Sequence, residues 1–310
     1  MKRFLLLNGL FACYFSLAPS ISNAQSFEKR TDHLNFIRGT AGAGLSSYYG
    51  DLCDNFECFR FRPQFSVGGY YRFNENFSFK AEFHYIRFFS TDKGGTNKKR
   101  NLSFRSGNAG FNAGVVYDLF KYERFYHKRK SFTPYIFAGA GALFFNPRAK
   151  AADGKWHSLQ PLQTEGKKYS RFTFTIPYGG GIRLKQTPVL DMSFEISYIK
   201  TFTDYIDDVS TTYTYNTSGD LADILADRTR ELDETPVKTD GADGVHWEAG
   251  HKRGNPKRKD GYLIFGFKVE YLLINMKEQR SKMHKNKIPK FKKANLPKPA
   301  KIKKKKGAFL

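Results

Sequence analysis

Beyond its first residues the chain lacks any apolar run long enough for a membrane helix. Such a helix needs about 20 consecutive apolar residues, so any membrane span must be built from strands. Leu-rich helical patterns are also scarce, whereas Phe and Tyr are abundant at 31 and 18. That bias favours strands and membrane-interface girdles over a helical bundle. Cysteine is rare. Cys13 lies in the leading apolar stretch, which leaves Cys53 and Cys58. A zinc site would want two more ligands nearby, and none is visible. In an exported chain the pair suits a loop-closing disulfide across residues 54–57, with two unpaired thiols as the alternative.

The leading stretch reads as an export signal. Lys2 and Arg3 precede an apolar segment from Phe4 to Ile21, and Ser22-Asn23-Ala24 supplies small residues for cleavage after Ala24. Leu10-Phe11-Ala12-Cys13 loosely resembles a lipoprotein box, but the apolar run continues past it. The expected division is a signal peptide over 1–24, a barrel over 25–274 and a Lys-rich periplasmic tail over 275–310. The tail holds 14 Lys/Arg and one Glu, or +13 of the total +23. It cannot bury a core and is expected to be disordered when free. Export argues against nucleic acid as its partner, so anionic lipid, cell-wall polymer or an acidic protein face fits better.

Eight segments alternate apolar and polar residues. In Phe77–Tyr85 one face is Phe77, Phe79, Ala81, Phe83 and Tyr85, and the other is Ser78, Lys80, Glu82 and His84. The eight run over 36–46, 61–73, 77–89, 108–119, 133–145, 171–184, 190–202 and 261–273. Their connections alternate short and long. Outer-membrane barrels place short turns in the periplasm and long loops outside, so both mature termini would be periplasmic. The expected fold is all-β: an eight-stranded antiparallel transmembrane β-barrel with long outer loops and a disordered basic C-terminal tail.

Inward positions on these strands include Arg62, Arg72, Lys80, Glu82, His84, Arg183, Glu195, Lys268 and Glu270. Both signs are present, so the charges can pair inside a narrow lumen. Eight strands leave room only for side chains, so no aqueous channel is expected. Glycines such as Gly139 and Gly181 leave space for bulky inward neighbours, and Pro177 suggests a bulge in the sixth strand.

Other constellations are weaker. Residues 204–248 carry 12 acids and 3 bases. Asp204, Asp207 and Asp208 are close enough in sequence to bind a divalent cation, but the more ordinary reading is that they cap turns. Leu221, Ala222, Ile224 and Leu225 suit a short helix on the barrel rim. His246 and His251 are five apart with Glu248 misplaced for a zinc-protease helix. His157 and Ser158 are adjacent on a loop, where side chains rarely converge, and no catalytic group stands out. Lys121, Arg124, Lys128, Arg129 and Lys130 form a basic connection that could dock a periplasmic partner.

Several strings also occur in a familiar order. They are Ser47-Tyr48-Tyr49-Gly50-Asp51-Leu52, Arg100-Asn101-Leu102-Ser103-Phe104-Arg105, and Pro134–Gly139 leading to Phe145-Asn146-Pro147. Leu159–Gly166, Ile176–Gly179, Thr201–Ser210 and Ala226-Asp227-Arg228 follow. In this order they resemble the PorG-like outer-membrane β-barrel family of the Bacteroidetes type IX secretion system. The resemblance implies a non-enzymatic outer-membrane component that anchors or assembles a periplasmic ring complex, with outer-membrane lipid and PorK/PorN-like ring proteins as partners and no cofactor. The basic tail and the two cysteines depart from the family pattern. The rival readings are an adhesin-like barrel that binds a ligand through its outer loops and a lipid-modifying barrel enzyme.

Overall fold

The computed structural model describes residues 35–94, 97–123, 126–151, 153–214, 221–232, 247 and 249–275. The expected signal peptide, almost all of the basic tail, Arg124, His246 and Glu248 lie outside the described residues. The strands are β1 (Phe36–Tyr49), β2 (Arg62–Arg72), β3 (Phe77–Thr91), β4 (Ser103–Asp118) and β5 (Phe132–Phe144), then β6 (Pro147–Lys150), β7 (Trp156–Ser158), β8 (Phe172–Lys185), β9 (Leu190–Thr201) and β10 (Gly261–Asn275). All except β6 and β7 form one ring. Each is antiparallel to its neighbours, and β1 pairs with both β2 and β10, which closes the eight-stranded barrel. Closure removes every sheet edge, the condition for strands to cross lipid. No helix among the described residues is long and apolar enough to do so.

The alternation explains which face is which. On β3, Phe83 is 62% exposed and Glu82 only 1%. Phe65, Ile136, Phe174, Phe194, Ile196 and Leu273 are likewise outward and exposed. A soluble protein rarely shows so large an apolar surface, whereas a bilayer requires it. Cross-strand aromatic pairs reinforce this band, with ring centroids 4.8 Å apart for Phe83–Phe111 and 5.0 Å apart for both Phe77–Tyr117 and Phe194–Phe267. Gly114 and Gly139 sit opposite each other where β4 and β5 approach closely. A Cβ on Gly139 would fall 2.1 Å from the Ala113 carbonyl oxygen. At Gly181 the space is taken by the Phe194 carbonyl oxygen and the Tyr135 ring.

The chain's two described ends and the connections 73–76, 119–131 and 186–189 lie at one end of the barrel. The other end carries the described residues of 50–61, 92–102, 145–171 and 202–260. Three local expectations are corrected. β4 starts at Ser103, five residues before the expected Asn108, because Ser103–Gly107 continues the ladder with β3. Pro177 makes no bulge. The β5–β8 ladder lacks two rungs there, but the register is the same on both sides, and β8–β9 pairing runs straight through Pro177↔Ile199. Pro has no N–H to give, and the missing rungs absorb that. The register shift that does occur lies at Ile37/Arg38, between β1 and β10. Finally, 145–171 is not merely a loop, since it contains the β6–β7 hairpin, which extends from β4.

The inward face changes character along the axis. Near the long loops it is apolar, with Ile86, Phe88, Phe104, Leu143, Ile199 and Ile264 packed beneath Leu52, Ile206 and Val209. This loop-end core differs from the uniformly polar interior of the simplest barrel pattern, because the loops exclude water there as they would over a soluble core. The short helix α1 (Leu221–Ala226) buries Leu225 against Ala149, Ala151 and Leu159.

Candidate functional site

The middle of the lumen is filled by two lysines and two glutamates. Lys268 on β10 donates to both oxygens of Glu82 at 2.8 Å and to Glu195 Oε1 at 2.9 Å. Lys80 on β3 donates to both oxygens of Glu195 at 2.7 Å and lies 2.9 Å from Glu82. Tyr135 donates a further bond to Glu195 at 3.1 Å, and Lys80 stands 4.1 Å from the centre of the Phe137 ring. The cluster is formally neutral and buried. Charges in low dielectric tolerate burial only when matched this closely. His84 lies 3.8 Å from Glu82 beside a cavity of about 20 Å³, the size of one water molecule.

A second charged layer lies toward the short-turn end. Arg183 donates to Glu270 and to Asp118, each at 2.8 Å, and Arg72 also bonds Asp118. Arg38 and Arg129 both bond Asp191, Arg129 at 2.6 Å. The Tyr122 ring lies between Arg72 and Arg129, 4.5 and 4.4 Å from their guanidinium carbons. Arg38, Asp118 and Asp191 were missed as lumen ions, although the same alternation puts them inward at strand ends.

Two of the sequence candidates belong elsewhere. Arg62 has inward parity but sits at the loop end of β2, where it is exposed and stacks on Phe89 at 4.7 Å. Arg129 is no surface docking residue, because Asp191 draws it into the barrel mouth and leaves it 8% exposed. Lys121, Lys128 and Lys130 are exposed on the same connection, with Lys121 3.4 Å from Glu75 and Lys130 3.5 Å from the centre of the Phe120 ring.

At the loop end, five of the strings that carry the family resemblance meet in space, those at 47–52, 100–105, 159–166, 201–210 and 226–228. Pro134–Gly139 and Ile176–Gly179 lie within β5 and β8. Asp207 accepts from Tyr48 Oη at 2.7 Å, Leu52 N at 3.1 Å and Val209 N at 3.0 Å. Tyr48 Oη is also 2.6 Å from Asp260, which accepts from Ile206 N at 2.9 Å. One hydroxyl proton cannot serve two carboxylates, so one of the pair carries a proton of its own. Burial raises both well above the ordinary carboxylate value, and the charge of Asp51 adds to the effect on Asp207. Burial also lifts Asp204 to about 7 and Asp208 to about 6. Asp208 accepts from the Thr164 and Tyr169 hydroxyls. Among the described residues no three His, Cys, Asp or Glu side chains are grouped to hold a metal ion. Asp207 and Asp208 instead tie the loops to one another.

Glu165, also missed from sequence, is the other staple. It accepts from Ser210 N at 2.9 Å and from Thr211 N at 3.0 Å, and it pairs with Arg253 at 2.9 Å. Arg100 grips Asp92 at 2.7 Å and donates to the carbonyls of Asp51 and Arg253. Cys53 and Cys58 form a disulfide, their Cα atoms 5.4 Å apart. His157 lies 3.2 Å from Asp153, an exposed loop contact.

A closed barrel with a lipid-facing apolar wall and a lumen packed with paired ions defines an outer-membrane β-barrel protein. The family described as "Outer membrane protein beta-barrel domain" matches residues 14–220, and the chain belongs to it. No curated protein matches. Several solved structures are similar. Neisserial surface protein A (NspA) is 11% identical, over 76% of this chain and 97% of that one, with a TM-score of 0.36. Ail, the attachment invasion locus protein of Yersinia pestis, crystallised with the heparin analogue sucrose octasulfate, is 12% identical over 77% and 100%, with a TM-score of 0.37. OprG from Pseudomonas aeruginosa is 11% identical over 78% and 99%, with a TM-score of 0.36.

Proposed function

We propose that the chain is a non-enzymatic outer-membrane anchor of a protein secretion machine, a PorG-like component of the type IX system. Its short-turn end faces the periplasm and assembles a ring of PorK/PorN-like proteins. The observation that carries the anchor reading is the neutral cluster of Lys80, Glu82, Glu195 and Lys268, which fills the middle of the lumen. A barrel that conducts nothing acts through its two ends. Support for the secretion reading comes from the ordered strings, several of which lie far apart in sequence yet join in one hydrogen-bonded cap. Exposed Lys121, Lys128 and Lys130 offer the periplasmic docking surface, and the basic tail extends it.

The test is affinity capture from solubilised membranes. Wild-type protein should recover the ring proteins, and K121Q/K128Q/K130Q should lose most of them. A variant lacking 275–310 isolates the tail's share. If capture recovers no ring proteins and a deletion strain secretes normally, the secretion reading fails.

A further inference from the structure

At the junction of three outer connections lies a cavity of about 650 Å³. That is within the roughly 300–1,000 Å³ typical of ligand pockets. Its walls come from Asp51 and Asp54, from Asn97, Lys98 and Arg100, and from Tyr213, Trp247 and residues 251–255 and 258. Two of its basic residues are already committed, since Arg100 is neutralised by Asp92, and Arg253 by Glu165. Lys98, Lys252 and Arg258 are different. Among the described residues no carboxylate lies within ion-pair distance of any of the three, and both lysines are exposed. On the acidic side, Asp51 is occupied by the Asn255 N–H at 2.6 Å. Arg258 stacks on the Tyr49 ring at 4.6 Å, and with Lys252 it shares the charge of Asp51, but neither is closed off in an ion pair.

The wall also carries a ring stack. Trp247 lies between Tyr213 and His251, with centroids 6.0 and 4.4 Å apart. Tyr213 is 1% exposed, yet its hydroxyl has no hydrogen-bond partner among the described residues. A buried hydroxyl left without a partner is unfavourable, so this one is a donor waiting for an acceptor. Aromatic edges beside amides and hydroxyls suit the mixed apolar and polar faces of a sugar. Ammonium and guanidinium groups outside any ion pair suit phosphate or carboxylate.

We infer that this cavity binds an anionic saccharide, a sugar unit bearing phosphate or carboxylate, through Lys98, Lys252 and Arg258 with Tyr213 as a hydrogen-bond donor. The inference is independent of the secretion reading, which concerns the opposite end of the barrel.

The chain's two tryptophans make the test direct. Trp156 lies under Arg105, 3.7 Å from its guanidinium carbon, and W156F leaves Trp247 as the only indole. The full mature W156F protein in detergent micelles is titrated with three probes: a phosphorylated oligosaccharide from the lipopolysaccharide inner core, a soluble oligo-uronate and a neutral oligosaccharide. Calorimetry on the unaltered protein provides a second readout. One or both anionic probes should give a saturable change in Trp247 emission, and the tighter of the two identifies the source. The neutral probe should give none. K98Q/K252Q/R258Q should weaken binding about tenfold or more, with the heat-modified band shift of the folded barrel unchanged. The inference is overturned if neither anionic probe saturates by either readout, if the neutral probe binds as tightly, or if the triple variant keeps its affinity.

Discussion

The lumen and the loop-end cap both bury ion pairs, Arg253–Glu165 and Arg100–Asp92 in the cap, but the cap also buries two aspartates that no ion pair neutralises among the described residues. In the lumen each cation meets a carboxylate, as Lys268 meets Glu82 and Glu195, so the charges compensate one another. In the cap, Asp207 and Asp260 are buried against a tyrosine hydroxyl and backbone N–H groups. Hydrogen bonds hold a carboxylate in place without neutralising it. The lumen should therefore be rigid and sensitive to the loss of any one partner, while the cap should respond to pH.

The largest effect should come from breaking the lumen's balance. K268M leaves Glu82 and Glu195 sharing Lys80 alone and should destabilise the barrel by about 3–5 kcal/mol, read by urea unfolding in micelles. Adding E82L removes the surplus carboxylate and should recover much of the loss. If K268M is as stable as wild type, the compensation argument is wrong.

Next in size is the Cys53–Cys58 link in the cap. Opening so short a loop should cost about 2 kcal/mol in the chain-entropy account. C53S/C58S should be cut faster by protease within 50–61, while the strands keep their protection. Equal cleavage rates would show that the hydrogen bonds of Asp207 and Arg100 suffice alone.

The pH effect should be smaller and confined to the cap. The values of about 7 for Asp204 and about 6 for Asp208 lie above the ordinary carboxylate value. The folded cap thus favours their protonated forms. Their contribution is complete below the unfolded-state value and is lost as pH rises through 6 and then 7. Amide exchange over 202–214, corrected for its intrinsic pH dependence, should quicken between about pH 5 and about pH 8. D204N should flatten part of that rise, and strand amides should show none of it.

The smallest effect is expected at the short-turn rim. Lys121 and Glu75 are 3.4 Å apart with side chains 73% and 48% exposed. K121A should change stability by less than about 1 kcal/mol, so its consequence for partner capture would be read without a folding defect.

Much of this architecture was legible in the sequence. Period-two alternation in Phe77–Tyr85 and in β10 marks the lipid face without reference to the rest of the chain, and the alternating loop lengths fix the up-and-down order. Pairing was not legible. Alternation puts Lys80 and Glu195 inward, but their contact depends on register around a closed ring, and they are 115 positions apart. Arg129 looked like a surface base because nothing local reveals Asp191 reaching it from β9. The cap was least legible, since Glu165 comes from one connection and Ser210 and Arg253 from distant parts of another, and they follow no period. Pro177 misled for a related reason, because whether a missing N–H forces a bulge depends on the neighbouring strand.

The account rests on a barrel whose interior is shut by its own ions, and planar-bilayer recording tests that most directly. Mature protein reconstituted at a density verified by protease protection should give no stable conductance steps, and K80M/E82L should remain closed because the lumen stays packed and neutral. Reproducible open-channel steps from the wild-type protein would contradict the account.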